Sequence, residues 1–218
     1  MKILFYGDSI TDMGRSREFD KKAFGYGVGY PNYIAGDLHF SEPGKYEIIN
    51  RGIGGNRIVD LYARIKADVW NHTPDVLSIL IGINDVWHEI GGKNGVDLVR
   101  FEKVYRMLLE DTKERLPDLK IILCEPFVLE GLATQEKFEE FSQAREYAKV
   151  VKKLAEDYNC AFVPLQAQFD ELSEKYGVEH YLYDGVHPDA AGARLIANEW
   201  MKVFKTQVEK EKNSKICR

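Results

Sequence analysis

The stretch from Lys2 to Ile10 reads KILFYGDSI, an apolar run followed by a glycine, an aspartate and a serine. The continuous apolar residues Ile3 to Tyr6 indicate a β-strand that is covered on both faces, as in a parallel sheet. In an open parallel sheet, ligands bind at the carboxyl ends of the strands. The stretch therefore predicts that Ser9 lies at the edge of the sheet where a substrate would sit.

Further apolar runs along the chain resemble the first one. They are β-branched or leucine-rich, and Gly, Pro, Asn or Asp bounds them, as is typical of strands. The predicted strands are Lys2–Tyr6, Tyr46–Asn50, Val76–Ile81, Lys120–Leu123 and Cys160–Leu165. Between the strands, apolar residues recur at spacings of three and four, which predicts amphipathic helices. The predicted helices are Asn56–Asn71, Leu98–Leu109, Lys137–Tyr158 and Ala190–Phe204.

The alternation of strands and helices predicts the fold class. Right-handed βαβ crossovers place helices on both faces of one sheet, so we expect an α/β protein with three α/β/α layers. The chain of 218 residues has no internal repeat and no linker-like change in composition. We therefore expect one domain over 1–207, followed by a charged tail over 208–218 that is a frayed helix end or disordered.

Composition and charge argue against several classes of function. Lys and Arg number 30 and Asp and Glu 35, which gives a formal charge of −5, whereas a nucleic-acid binder needs a basic face. No apolar run is long enough for a signal-peptide core or a membrane span. The three widely spaced cysteines fit neither a zinc site nor a disulfide framework. We expect reduced thiols, a cytoplasmic location and no nucleic-acid or membrane partner.

Residues beyond the first strand and before the last helix suit nucleophilic catalysis. Ser9 is the candidate nucleophile, and its hydroxyl needs a base within hydrogen-bond reach. His187 is the candidate base, because the pKa of imidazole lies near the working pH. Asp184 precedes it by three residues, so its carboxylate can face Nδ1 and leave Nε2 free for Ser9. The pattern predicts a Ser-His-Asp relay.

Acyl transfer also needs fixed donors for the oxyanion of the transition state. Gly55 can bring its backbone N–H close to a ligand, because glycine has no side chain to obstruct the approach. Asn84 can add a side-chain N–H after the third strand, and the Ser9 N–H is the third candidate. Each feature alone is ambiguous, since a serine after a strand is usually a helix cap. Their combination at predicted strand ends indicates one active site.

Four segments resemble the sequence blocks of the SGNH hydrolase, or GDSL esterase, superfamily, and they occur in the family order. They are Gly7–Ile10, Asn50–Gly55, Gly82–Asp85 and Asp184–Pro188. The resemblance implies a five-stranded, flavodoxin-like sheet of order 2-1-3-4-5 and a serine esterase that uses no metal or organic cofactor. It also implies that Ser9, Gly55 and Asn84 form the oxyanion hole.

Flanking residues look more specifically like those of bacterial intracellular acetylxylan esterases. The residues in question are Gly7–Asp12, Gly14-Arg15, Ile81–Trp87 and Ala191-Gly192. This likeness implies that the substrate is a small acetyl ester of a carbohydrate, such as an acetylated xylo-oligosaccharide, and that the protein can form homo-oligomers. The aromatic residues Trp87, Tyr30 and Tyr183 are candidate sugar contacts, although such residues are as often core or interface.

Three more polar positions receive a structural interpretation. We expect Asp8 and Asp85 to orient loop backbone rather than to act as acids. His88 and Glu89 lack a third ligand nearby, so we expect a solvated loop and no metal.

Two alternative functions remain open on the residues alone. A lysophospholipase or thioesterase of the same superfamily would need an apolar groove for the acyl chain. A non-catalytic, flavodoxin-like nucleotide-binding module would need a phosphate loop after the first strand. There, Gly7–Ile10 offers one glycine and an acidic side chain, which suits phosphate poorly.

Overall fold

The strands are buried on both faces because they consist almost entirely of apolar residues. In the computed structural model, which describes residues 1–18 and 23–209, five parallel strands form one sheet of order β2-β1-β3-β4-β5. The strands are β1 (Lys2–Gly7), β2 (Glu47–Asn50), β3 (Val76–Leu80), β4 (Lys120–Cys124) and β5 (Ala161–Val163). The predicted fold class and strand order are confirmed, and each strand end lies within two residues of the predicted one.

Helices cover both faces of the sheet, which gives the predicted three layers. They are α1 (Ser9–Asp12), α2 (Tyr30–Ser41), α3 (Ile58–Asp68), α4 (Ile83–Gly92), α5 (Leu98–Arg115), α6 (Phe138–Phe141), α7 (Ala144–Asp157), α8 (Gln166–Tyr176) and α9 (Ala190–Val203). Helix α2 packs against α9, while α5 packs between α3 and α7. A π-helical segment, Phe204–Glu209, continues α9.

The register of the sheet brings the functional segments together. β1 is a central strand, in which Leu4 lies opposite Ile49 of β2 and Leu77 of β3. Gly7 at the end of β1 lies opposite Leu80 at the end of β3. Because the strands are parallel, the segments that follow β2, β1 and β3 leave the sheet side by side at one edge.

The helix predicted over Lys137–Tyr158 is wrong in its middle, where the structure has two helices, α6 and α7. At the junction, Gln143 N–H donates to Glu140 and Arg145 N–H to Ser142, which is i to i+3 bonding instead of the α-helical pattern. The Ser142 hydroxyl donates to the Glu139 carbonyl at 2.7 Å. A serine that bonds to nearby backbone competes with the helix ladder in this way. The structure also contains α2, α4 and α8, which the apolar spacing did not predict.

The C-terminal part of the domain is anchored by α9. Trp200 is fully buried, stacks on Phe204 at 4.9 Å between ring centroids, and lies 5.3 Å from the ring of Phe5 in β1. Its Nε1 donates to the Ser78 hydroxyl in β3 at 3.0 Å. Of the predicted tail over 208–218, Val208 is buried, and residues 210–218 lie outside the described residues. In the part of the chain that is described, no helix is both long and apolar enough to cross a membrane.

Replacing Trp200 with alanine should lower the free energy of unfolding by roughly 3–5 kcal/mol, because it removes a large buried ring and leaves a cavity. Urea unfolding followed by circular dichroism measures the change. Phe40→Ala is the matched control, since Phe40 is 91% exposed on α2 and its loss should change stability by less than about 0.5 kcal/mol. Equal effects of the two substitutions would contradict the anchoring role of Trp200.

Candidate active site

The structure brings Ser9, His187 and Asp184 together, although 178 positions separate the first two. The Ser9 Oγ lies 2.8 Å from the His187 Nε2, and the His187 Nδ1 lies 2.7 Å from the Asp184 Oδ2. Both contacts have hydrogen-bond length, so a proton on Nδ1 leaves Nε2 free to accept the Ser9 proton. The arrangement can transfer a proton from the hydroxyl to the imidazole while the carboxylate holds the ring.

The loop that carries Asp184 and His187 holds the carboxylate in place by its own backbone. The Asp184 Oδ1 accepts hydrogen bonds from the backbone N–H groups of Val186, at 2.9 Å, and His187, at 2.7 Å. Gly185 adopts a φ of +95°, and a Cβ there would lie 2.6 Å from the Leu129 carbonyl oxygen. Only glycine fits this turn, and the turn fixes the carboxylate against the ring.

The two ionisable partners shift each other's pKa in the direction that stabilises the ion pair. The hydrogen bond to Asp184 raises the pKa of His187, and partial desolvation of the ring opposes this only in part. Burial alone would raise the pKa of Asp184, but the hydrogen bonds from the His187 ring and from the loop backbone outweigh it and lower the pKa. The site therefore favours an imidazolium beside an ionised carboxylate.

The candidate donors for an oxyanion are the N–H groups of Ser9, Gly55 and Asn84. Ser9 is the first residue of α1, and a Cβ placed on Gly54 would lie 3.7 Å from the Ser9 Cβ. Within residues 1–18 and 23–209, neither the Ser9 N–H nor the Gly55 N–H donates to a protein acceptor. The Asn84 Nδ2 donates one hydrogen to the Asn56 carbonyl at 3.1 Å, which leaves the other for a ligand. The segment with Gly54 and Gly55 thus lies beside Ser9, and Asn84 is bonded to the residue that follows Gly55.

Asn84 belongs to a helix and not to a loop, because β3 turns into α4 with only two residues between them. Gly82 makes this turn possible with a φ of +140°, a conformation that other residues rarely adopt. His88 and Glu89 also lie in α4, so the solvated loop predicted for them is wrong. In the described ranges, no three His, Cys, Asp or Glu side chains are grouped as a metal site requires.

Half-buried Arg64 and buried Asn50, to which the sequence analysis gave no role of their own, support the site. The Arg64 guanidinium of α3 donates to the Gly7 carbonyl at 3.1 Å and to the Arg51 carbonyl at 2.9 Å. The Asn50 Nδ2 donates to the Thr11 carbonyl at 2.6 Å, and the Asn50 Oδ1 accepts from the Gly52 N–H at 2.8 Å. These bonds join the turn at Ser9 to the loop that contains Gly55.

Gly52 marks the closest approach between these two segments. A Cβ at Gly52 would lie 2.3 Å from the Asp12 backbone nitrogen, so no side chain fits there. The Arg15 Nε donates to the Gly52 carbonyl at 2.7 Å, and the Asp12 Oδ2 accepts from the Gly54 N–H at 3.2 Å. The loop therefore lies directly against α1.

Two of the three predicted aromatic contacts lie beside the His187 ring. The Tyr183 ring stacks on the His187 ring, with 5.7 Å between the ring centroids and 15° between the ring planes, and Tyr183 is 51% exposed. Trp87 is half-buried, and the centroid of its ring lies 5.9 Å from that of His187. The prediction for Tyr30 is wrong. Tyr30 is fully buried at the start of α2, where its ring packs edge-on against Phe5 and its hydroxyl lies 3.1 Å from the Thr11 Oγ1.

An open cleft of about 540 Å³ gives access to Ser9 and His187. Met13, Val28 and Tyr183 form an apolar part of its lining. A polar part is formed by Arg17, whose guanidinium lies 3.0 Å from the Asp12 carboxylate. The cleft can therefore accept a ligand with both apolar faces and hydrogen-bonding groups.

Comparison with known proteins identifies the class of this chain. Residues 5–195 match the family model of the GDSL-like lipases and acylhydrolases, and the chain belongs to this family. It is 38% identical to an acetylxylan esterase from Geobacillus stearothermophilus over 92% of both chains. The chain is a carboxylic ester hydrolase that acts on small ester substrates.

Solved structures support the same assignment. The crystal structure of an acetylxylan esterase from Geobacillus stearothermophilus matches with a TM-score of 0.82 and 37% identity, covering 92% of each chain. A candidate GDSL-like lipase from Parabacteroides merdae matches with a TM-score of 0.87 and 40% identity, covering 93% of this chain and 94% of the other.

The pKa of His187 should lie above the value of 6.5 for an unperturbed histidine, and Asp184→Asn should lower it because the amide cannot stabilise the imidazolium. An NMR titration of the histidine ring protons measures both values. The chain has five histidines, so His187→Gln assigns the resonance by its loss. An Asp184→Asn protein whose His187 pKa equals or exceeds that of the parent would contradict the ion-pair geometry.

Proposed function

We propose that this protein removes acetyl groups from carbohydrates, with acetylated xylo-oligosaccharides as the substrate class, through an acyl-enzyme on Ser9. The contact of 2.8 Å between the Ser9 Oγ and the His187 Nε2 carries the proposal, because it provides the nucleophile with its base. The likeness to an acetylxylan esterase supports the choice of acyl group and of sugar.

In the first half of the reaction, His187 Nε2 takes the proton of Ser9 while the Ser9 Oγ attacks the carbonyl carbon of the acetyl ester. The carbonyl oxygen becomes an oxyanion, which the N–H groups of Ser9, Gly55 and Asn84 stabilise. Asp184 stabilises the imidazolium. His187 then returns its proton to the sugar oxygen, the C–O bond breaks, and the acetyl group stays on Ser9.

In the second half, a water molecule replaces the sugar. His187 takes a proton from this water as its oxygen attacks the acetyl carbon, and the same donors hold the second oxyanion. When the bond to the Ser9 Oγ breaks, His187 gives its proton to this oxygen and acetate leaves. The enzyme returns to its initial state, and neither step needs a cofactor.

The aromatic rings beside His187 suit a sugar as the leaving group. The leaving oxygen must lie next to His187 Nε2 to receive its proton, so the sugar that carries this oxygen lies close to Tyr183. The exposed, flat face of Tyr183 can cover an apolar face of a sugar ring. A longer acyl chain is the alternative, and Met13 and Val28 in the cleft favour it because their side chains are apolar.

Ser9→Ala should lower kcat/KM for acetyl esters by at least about a thousandfold, since the acyl-enzyme cannot form without the hydroxyl. The measurement is the release of acetate from acetylated xylo-oligosaccharides and from a short aryl acetate. Ser41→Ala is the control, because Ser41 lies at the exposed end of α2. Full activity of the Ser9→Ala protein would disprove the assignment of the nucleophile. An aryl octanoate that is cleaved faster than the aryl acetate would favour a lipid or thioester substrate.

Tyr183→Ala should raise KM for acetylated xylo-oligosaccharides roughly tenfold, which corresponds to the loss of about 1.4 kcal/mol of stacking. The KM for an aryl acetate should change much less, because no sugar is present. Tyr176→Ala is the matched control, since Tyr176 is also half exposed, at 55%, but does not line the cleft. An unchanged KM for the sugar ester would show that Tyr183 does not bind the sugar.

A further inference from the structure

Two buried carboxyl groups adjoin the proposed oxyanion donors, one immediately before Ser9 and one immediately after Asn84. Asp8 has no exposed surface, and Asp85 is 1% exposed. Each carboxyl group uses Oδ1 for one backbone N–H, that of Ile10 at 2.9 Å for Asp8 and that of Ile58 at 3.1 Å for Asp85. These contacts confirm that both residues orient backbone.

The second oxygen of each carboxyl group has no such partner. In the described part of the chain, the Asp8 Oδ2 and the Asp85 Oδ2 are both buried without a hydrogen bond. Asp8 follows β1 and Asp85 follows β3, and these strands are neighbours in the sheet. Two buried and interacting carboxylates that were both ionised would be costly, because a single backbone N–H compensates each charge and neither Oδ2 has a donor. A proton on one of them removes one charge and turns one unsatisfied acceptor into a donor.

The surroundings decide which of the two carboxyl groups holds the proton. Burial, and then the negative charge of Asp8, raise the pKa of Asp85 well above its usual range. Burial raises the pKa of Asp8 to about 7, and the Ile10 N–H and the positive charge of His187 oppose the rise. Asp85 therefore keeps its proton more readily than Asp8 does, and Asp8 is the carboxyl group that ionises when His187 is charged.

The ionisable groups around the pair leave this assignment in place. The positive charge of His187 lowers the pKa of Asp8, and that of Arg57 lowers the pKa of Asp85. The Arg57 Nε also donates a hydrogen bond to the Asp60 carboxylate at 2.9 Å. Asp184 acts on His187 from the other side of the ring, and three phenols with raised pKa values, which stay neutral near pH 7, interact with Asp8 or Asp85. They are Tyr30 of α2, Tyr105 of α5 and Tyr147 of α7.

We propose that Asp85 remains protonated and that ionised Asp8 is a second negative partner of His187, which stabilises the imidazolium formed when Ser9 attacks. This inference rests on the proposed function. In this arrangement Asp184 binds the ring through Nδ1, and Asp8, the residue before Ser9, acts on the ring through space. Asp8 is a positioning residue, since it touches neither the ester nor the proton that moves.

The test is the pH dependence of kcat/KM for a short aryl acetate, which requires no sugar binding. Asparagine keeps the size of the side chain and the oxygen that accepts the backbone N–H. Asp8→Asn should move the acidic limb of the profile to lower pH and lower the plateau roughly tenfold, because the imidazolium loses one anion. Asp85→Asn should leave the limb at its parental position, because it replaces a neutral acid with a neutral amide.

Asp189→Asn is the matched control for charge. Asp189 is an exposed N-cap two residues after His187, and asparagine caps helices as well as aspartate does. Its limb should coincide with that of the parent. The proposal would be overturned if the acidic limb of the pH profile stayed in place in Asp8→Asn, or if it shifted in Asp85→Asn.

Infrared spectroscopy gives a second readout that needs only the parent and one variant. At pH 9, where Asp8 with its pKa of about 7 is ionised, the parent should still show the carbonyl band of a protonated carboxyl group, and Asp85→Asn should lack it. The absence of this band from the parent would overturn the proposal even if Asp8→Asn fails to fold. Failure of the proposed function would be recognised by other results, namely an active Ser9→Ala protein or no release of acetate from sugar esters.

Discussion

Loops that approach a substrate closely cannot leave their backbone groups to water, and here the side chains of half-buried Arg64 and buried Asn50 form hydrogen bonds with those groups. Arg64 binds the carbonyls of Gly7 and Arg51, and Asn50 binds backbone groups on both sides of the contact at Gly52. Buried polar groups without such partners would destabilise the fold. Because the same bonds fix the Ser9 turn against the Gly55 loop, the energy that stabilises the edge of the sheet also preorganises the donors.

Much of the site could be predicted because parallel strands bring their carboxyl ends to one edge. An apolar run followed by Gly7-Asp8-Ser9 already indicates a side chain at that edge, and the register of Gly7 with Leu80 confirms that the next segment lies beside it. His187 could be paired with Asp184 from their spacing, since one turn presents both. These features depend on local geometry and on the topology of the sheet, and the sequence encodes both.

Other features depend on packing, which the sequence encodes less directly. Tyr30 is near the site in the chain, but α2 packs against the rest of the domain and buries its first residue against Phe5. Arg64 resembles any arginine on the polar face of a helix until the strand-end carbonyls are in place. The interruption at Ser142 arises from a side-chain hydrogen bond that no apolar periodicity reveals.

The long separation between Ser9 and His187 has a consequence for biosynthesis. Ser9, Gly55 and Asn84 leave the ribosome before His187, which follows only with the segment that leads into α9. Trp200 then seats this last helix against Phe5 and Ser78. A nascent chain that ends before Asp184 therefore carries Ser9 without Asp184 and His187, so under the proposed function it cannot cleave esters by this relay.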